Sequence, residues 1–86
     1  MKAQVERVEF REGEGGTWVP VKYAAGCLPV SGAPVRSIVE AVRWFEARGW
    51  YARHSRRGGR VYTFLPTGRG KRLTVEVVPA VERGLE

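Results

Sequence analysis

The sequence predicts a small two-layer α+β domain, in which one amphipathic helix packs on one face of an antiparallel sheet. The chain has 86 residues, which is enough for a single domain, 1–86, with a small core. Five short segments have the alternating or β-branched pattern of strands, and one segment has the period of an amphipathic helix. The predicted order of elements is therefore β-β-α-β-β-β.

The first two predicted strands form a hairpin. Lys2–Phe10 is rich in β-branched and aromatic residues, but Val5 and Val8 break strict alternation, which predicts a β-bulge. Thr17–Tyr23 alternates cleanly along its length. Pro20 in this second strand donates no ladder hydrogen bond, so we expect the strand at an edge of the sheet.

A helix is predicted over Val35–Arg48. Its apolar residues recur on one stripe, at Val35, Ile38, Val39, Val42 and Phe45. Residues 24–34, which are rich in Gly and Pro, are predicted as the loop before it. At the start, either Ser31 caps the helix or Pro34 is its first residue, and Gly49 ends it.

A second hairpin is predicted around Gly58-Gly59, because both glycines tolerate the positive φ of a tight turn. Its strands are Trp50–Arg56 and Arg60–Leu65. A two-residue loop places these residues on one face: Tyr51, Arg53, Ser55, Arg57, Arg60, Tyr62 and Phe64. A three-residue loop instead buries Tyr51 and groups Trp50, His54, Arg56, Arg60, Tyr62 and Phe64. Lys71–Val78 is the last predicted strand, and residues 79–86 are expected to fray.

The net charge of +6 is concentrated in the middle of the chain. Residues 35–72 carry ten cations and two glutamates, and the stretch from Arg48 to Arg72 holds eight cations and no acidic residue. The aromatic residues among these charges are Trp50, Tyr51, Tyr62 and Phe64. Like charges opposed across a hairpin repel each other unless an anion lies between them. The charge pattern therefore predicts an anionic partner.

From this pattern we expect nucleic-acid binding, with single-stranded DNA or RNA preferred and little sequence specificity. Arginine pairs with phosphates, and aromatic rings stack on unpaired bases. The phosphate-pairing residues would be Arg53, Arg56, Arg57 and Arg60. The stacking residues would be Tyr51, Tyr62 and Phe64, with Trp18 extending their surface. The residues that guide the backbone at its edge would be Arg69, Lys71 and Arg72.

The residues from Val35 onward support a second hypothesis. A helix that ends in Gly leads into a basic hairpin and then into a stretch that contains Tyr62, Leu65, Thr67 and Gly68. This arrangement resembles the recognition helix and wing of bacterial and archaeal winged-helix regulators. The resemblance implies a double-stranded DNA-binding transcriptional regulator, and we keep it as the alternative.

A third hypothesis follows from the Tyr, Trp and Arg content, because these residues are also enriched at protein interfaces. The chain would then be a small protein-interaction or dimerisation subunit whose arginines meet an acidic protein. A domain of this size often needs extra support, which a homodimer would supply. Surface ion pairing, as in proteins of thermophiles, is another source of such support. The composition fits this, because the chain has 12 Arg against 3 Lys and no Asp or Asn.

Catalysis is not expected, because the chain has one His, one Cys, three Ser and no Asp. Cys27 is the single cysteine, which excludes an internal disulfide and fits a reducing compartment. Neither a metal site nor a cofactor is expected from this set of side chains. The chain start lacks the apolar segment of a signal peptide, and no apolar run is long enough to span a membrane. We therefore expect a cytoplasmic protein without a membrane partner.

Overall fold

Six strands and one α-helix make up the part of the chain that the computed structural model describes, residues 1–55 and 60–77. The strands are β1 (Lys2–Glu12), β2 (Trp18–Ala24), β3 (Val30–Ser31), β4 (Trp50–Ser55), β5 (Val61–Pro66) and β6 (Thr74–Glu76), and the helix is α1 (Ile38–Glu46). The prediction of a small α+β domain with an antiparallel sheet is confirmed at this level. The order of elements differs from the predicted β-β-α-β-β-β, because β3 forms within residues 24–34, which were predicted as a loop.

The sheet is built around β1, its longest strand. The strand order is β3-β2-β1-β5-β4, and β6 pairs with the first residues of β1. A register shift between Val5 and Arg7 confirms the predicted bulge. The prediction that β2 is an edge strand is wrong, since β3 pairs with it outside β1. Pro20 is compatible with this position because it takes part through its carbonyl, which accepts a hydrogen bond from Gly32 N at 2.9 Å. This contact does not need the backbone N–H that proline lacks.

The pairing register divides the side chains of the sheet between two faces. The face that α1 covers, called the core face below, carries Val8, Phe10, Trp18, Trp50, Ala52, His54, Tyr62 and Phe64. Phe45 anchors α1 there, because its ring stacks on Phe64 with 4.5 Å between centroids. The same ring meets the edges of Phe10 at 6.1 Å and Trp50 at 5.5 Å. The opposite side of the sheet is called the open face.

The helix begins three residues later than the sequence pattern predicts. Ser37 is its N-cap, and its Oγ accepts a hydrogen bond from Glu40 N at 3.3 Å. Neither Ser31 nor Pro34 has the role predicted for it. The reason lies in Val35, which exchanges two backbone hydrogen bonds of 2.8 Å with Trp18 and is therefore held in an extended conformation.

Residues 67–72, called the 67–72 segment below, are fastened to the end of the helix. Gly49 has a φ of 80°, which favours glycine, and a Cβ built on it would lie 2.8 Å from the Cα of Gly70. The carbonyl of Gly49 accepts hydrogen bonds from Thr67 N at 3.0 Å and from Thr67 Oγ1 at 2.8 Å. Lys71 N donates to the carbonyl of Arg48 at 2.8 Å. The segment therefore has a fixed position beside the first residues of β4.

The last strand is shorter than predicted. It covers Thr74–Glu76 within the predicted Lys71–Val78, of which Val78 lies outside the described residues. The carbonyl of Leu73 already accepts a hydrogen bond from Val5 N at 2.8 Å. Residues 71–73 depart from strand geometry because Lys71 is bonded to the helix end and not to β1. The predicted frayed tail, 79–86, lies outside the described residues.

Candidate nucleic-acid interface

The register of the β4–β5 hairpin decides which side chains share a face. Arg53 pairs with Thr63 and His54 with Tyr62, whereas the two-residue-loop prediction pairs Arg53 with Phe64. That prediction is wrong by one residue, and a shift of one residue moves every side chain of one strand to the opposite face. The loop residues themselves, including Arg56, Arg57 and Gly58-Gly59, lie outside the described residues.

The grouping expected from a three-residue loop agrees better with the structure, with one exception. Trp50 and His54 do lie on the same face as Tyr62 and Phe64. Tyr51, however, is 45% exposed, although that grouping predicts its burial. The cause is the position of α1, which packs against the Trp50 side of β4 and leaves the Tyr51 side open.

Two of the predicted base-stacking residues belong to the core. Phe64 is 0% exposed and lies between Phe45 and Phe10, the latter at 5.4 Å between ring centroids. Trp18 is 5% exposed, and its ring meets that of Tyr62 at 5.3 Å. Neither residue presents a ring face to a ligand, so the prediction that they form part of an exposed stacking surface is wrong.

Tyr62 is on the core face as well, beyond the region that α1 covers. Its ring is half-buried and stacks on the exposed His54 with 4.4 Å between centroids and 15° between the planes. The neighbouring Arg60 forms an ion pair with Glu12 at 3.6 Å, and its guanidinium lies 5.3 Å from the centre of the Trp18 ring. Tyr62 and Arg60 are therefore on the side of the hairpin opposite to Tyr51 and Arg53.

The open face crosses five strands in regular rows. The central row consists of Arg53, Thr63, Glu9, Val21 and Ser31. On one side of it lies the row Ser55, Val61, Arg11 and Val19. On the other side lie the pairs Tyr51–Leu65 and Arg7–Tyr23. The face therefore combines two tyrosines and three arginines with several apolar side chains.

Glu9 organises the middle of this face. Its side chain is only 14% exposed, and its carboxylate accepts hydrogen bonds from Arg11 at 3.0 Å and from the Tyr23 hydroxyl at 3.2 Å. Arg7 forms a second ion pair with it at 3.5 Å. The guanidinium of Arg7 also lies 4.0 Å from the centre of the Tyr23 ring. This network holds two arginines in place and keeps one net positive charge.

Sequence reasoning missed Arg7, Arg11 and Tyr23 as members of the site. All three lie in the first third of the chain, where cations and glutamates balance, so charge alone gave no signal. The clean alternation of β2 was the available signal, because it places Tyr23 on the face opposite to Trp18.

Arg53 and Tyr51 are the predicted site residues that lie exposed on the open face. Within residues 1–55 and 60–77 no carboxylate forms an ion pair with Arg53. A cavity of about 220 Å³ beside it is lined by Arg53, His54, Ser55 and Thr63. An exposed phenol ring two residues from an uncompensated guanidinium provides a surface for a base next to a partner for a phosphate.

Arg69, Lys71 and Arg72 are exposed at the other end of the hairpin from the Ser55–Val61 pair. The six residues of β4 separate the two ends by about 17 Å, at about 3.3 Å per residue. These three cations therefore flank the Trp50–Pro66 end of β4 and β5 and not the loop. Tyr51 is the exposed aromatic residue of β4 nearest to them.

The winged-helix arrangement that the resemblance implies is not present in the described part of the chain. Residues 1–37 contain strands and a 3₁₀ turn at Glu14–Gly16, where a winged helix has the two helices that precede its recognition helix. The helix that would be the recognition helix is α1, and it packs on the sheet through Phe45. The winged-helix fold is therefore wrong for this chain.

Comparisons of the chain with protein-family models, with curated proteins and with solved structures give no match. Among the residues that the structure describes, no group of three or more His, Cys, Asp or Glu side chains is placed to hold a metal ion. No helix in the same ranges has the length and apolar character needed to cross a membrane.

Proposed function

We propose that the protein binds single-stranded nucleic acid on the open face of its sheet, with little sequence specificity. The observation that supports this most directly is the pair Tyr51 and Arg53. They lie two residues apart on the same face of β4, the first 45% exposed and the second without an ion pair in the described residues. A ring and a cation with this spacing suit one base and an adjacent phosphate.

The shape of the surface favours single strands. A sheet face that no helix covers accepts unpaired bases that turn towards it, whereas the bases of a duplex are stacked on each other and hidden. Stacking of one base on an aromatic side chain contributes about 1–3 kcal/mol. Any base offers a π face, so contacts of this kind discriminate little between sequences.

The Glu9 network extends the surface across β1 and β2. The guanidinium carbon of Arg7 lies over the Tyr23 ring, and an arginine guanidinium is itself a surface on which bases stack. Arg11 on the neighbouring row adds a second cation, which donates a hydrogen bond to Glu9. Because these side chains are already fixed by Glu9, little rotamer freedom is lost when a strand binds.

Replacing Tyr51 with alanine tests the stacking contact. We expect about a 5- to 150-fold loss of affinity for a single-stranded oligonucleotide, which corresponds to one lost base–aromatic stack of about 1–3 kcal/mol. Tyr51→Phe keeps the ring and is expected to retain wild-type affinity. Fluorescence anisotropy with a labelled oligothymidylate measures both. Equal losses for the two variants would show that the hydroxyl, and not the ring, makes the contact.

The matched control for charge compares Arg53→Gln with Arg43→Gln. Both changes remove one exposed cation that is unpaired in the described residues, so the net charge falls equally. Arg43 is on α1, away from the open face. We expect both variants to lose a little affinity through the lower net charge, and only Arg53→Gln to lose more than that. Equal losses of affinity in the two variants would mean that the ligand does not contact Arg53.

A further inference from the structure

The 67–72 segment is held more firmly than a surface turn requires. The segment makes three hydrogen bonds with Arg48 and Gly49. A fourth joins it to the buried Trp50 side chain, whose Nε1 donates to the carbonyl of Lys71 at 2.9 Å. Thr67 Oγ1 also accepts a hydrogen bond from Arg69 N at 3.3 Å. The backbone of the segment is therefore fixed before any ligand arrives.

This fixed segment carries three cations, and none of them is ion-paired with a carboxylate of the described residues. Arg69, Lys71 and Arg72 are all exposed. Glu76 in the nearby β6 is already paired with the amino group of Met1 at 2.9 Å. Three neighbouring cations on a rigid backbone repel each other, and an anion placed among them removes that repulsion.

A small cavity opens beside the cations. Its volume is about 160 Å³, and it lies between the segment and the start of β1. Its polar lining includes Gln4, Thr67, Lys71 and Arg72, and its apolar lining includes Val5 and Trp50. The Thr67 hydroxyl already donates its proton to Gly49 O, which leaves two cations and the Gln4 amide around one concave space as donors suited to a phosphate group.

We propose that this cavity is a phosphate-binding pocket that holds the backbone of the nucleic-acid strand whose base stacks on Tyr51. The proposal rests on the proposed function of the open face and adds a second contact to it. The segment contacts Gly49, and two residues of extended chain, about 7 Å, separate the backbone of Gly49 from that of Tyr51. Because Trp50 of the core face lines the pocket and Tyr51 lies on the open face, the strand passes around the Trp50–Pro66 end of the sheet to reach both. The pocket therefore takes a phosphate that lies further along the strand than the nucleotide whose base stacks on Tyr51.

The test removes the two cations that line the pocket. The double variant Lys71→Gln, Arg72→Gln is compared with Arg36→Gln, Arg43→Gln, which also removes two exposed cations that are unpaired in the described chain. Binding of a single-stranded oligothymidylate is measured by anisotropy across a salt series. For the pocket variant we expect the log–log salt slope to fall by about 0.7, the value for one lost phosphate contact on a single strand, with about a fivefold loss of affinity at 0.1 M salt.

The outcomes separate this inference from the proposed function. If both double variants lose slope and affinity equally while the wild type binds, the pocket is overturned and the open face still stands. If the wild type does not bind single strands at low salt, the proposed function is wrong. The proposal that the pocket binds the same strand is then wrong as well. A short oligonucleotide that reaches Tyr51 but not the pocket is expected to bind wild type and pocket variant alike, and a difference between them would overturn the pocket.

Discussion

Replacement of Phe64 with alanine is expected to lower the free energy of unfolding by about 3–5 kcal/mol. The ring is 0% exposed and packs against Phe45 from α1 and Phe10 from β1, so its loss leaves a cavity between helix and sheet. A domain of 86 residues has a total stability of about 4–13 kcal/mol. The single change therefore removes a large part of it.

Urea unfolding followed by circular dichroism measures this effect, with Leu65→Ala as the matched control. Leu65 is the next residue of β5, half-buried on the open face, and its loss is expected to cost about 1 kcal/mol. The pair also tests the hairpin register, because the two-residue-loop register would expose Phe64 and bury Leu65. A larger loss for Leu65→Ala than for Phe64→Ala would contradict the structure.

Gly49→Ala is expected to lower the free energy of unfolding by about 2–4 kcal/mol. One part, about 1–2 kcal/mol, is the strain of a side chain at a φ of 80°. The other part is steric, since the new Cβ would lie 2.8 Å from the Cα of Gly70 and would push the 67–72 segment away from the helix end. The hydrogen bonds from Thr67 and Lys71 to residues 49 and 48 would weaken with that movement.

Gly26→Ala separates the two parts of this effect. Gly26 has a similar φ of 71°, but a Cβ there meets no atom within 4 Å. Its replacement is therefore expected to show the backbone strain alone, about 1–2 kcal/mol. Thermal or urea unfolding of both variants gives the difference. Equal losses would mean that the close approach of Gly49 to Gly70 adds nothing to stability.

The fold class was predictable from the sequence because its signals are local. The bulge in β1 follows from the spacing of Val5 and Val8, and the helix follows from its apolar stripe. Its start was not predictable, because Val35 fits the stripe equally well and is drawn out of the helix only by pairing with Trp18. That contact joins residues far apart in the chain and leaves no local pattern.

The candidate site was predictable only in part, because it depends on one register. The diglycine permits a loop of two or three residues, and the choice decides whether Tyr51 or Phe64 is on the surface. Both are aromatic residues among arginines, so composition does not distinguish them. The position of α1 distinguishes them, since it covers Phe64 and leaves Tyr51 exposed.

The central claim, that a single strand binds to the open face, is tested most directly by anisotropy titration of the wild-type protein. A labelled single strand and the duplex of the same sequence are compared across a salt series. We expect tighter binding of the single strand, with a log–log salt slope of about two to four units, and a loss of this preference in Tyr51→Ala. Tighter binding of the duplex, or no binding of either at low salt, would contradict the claim.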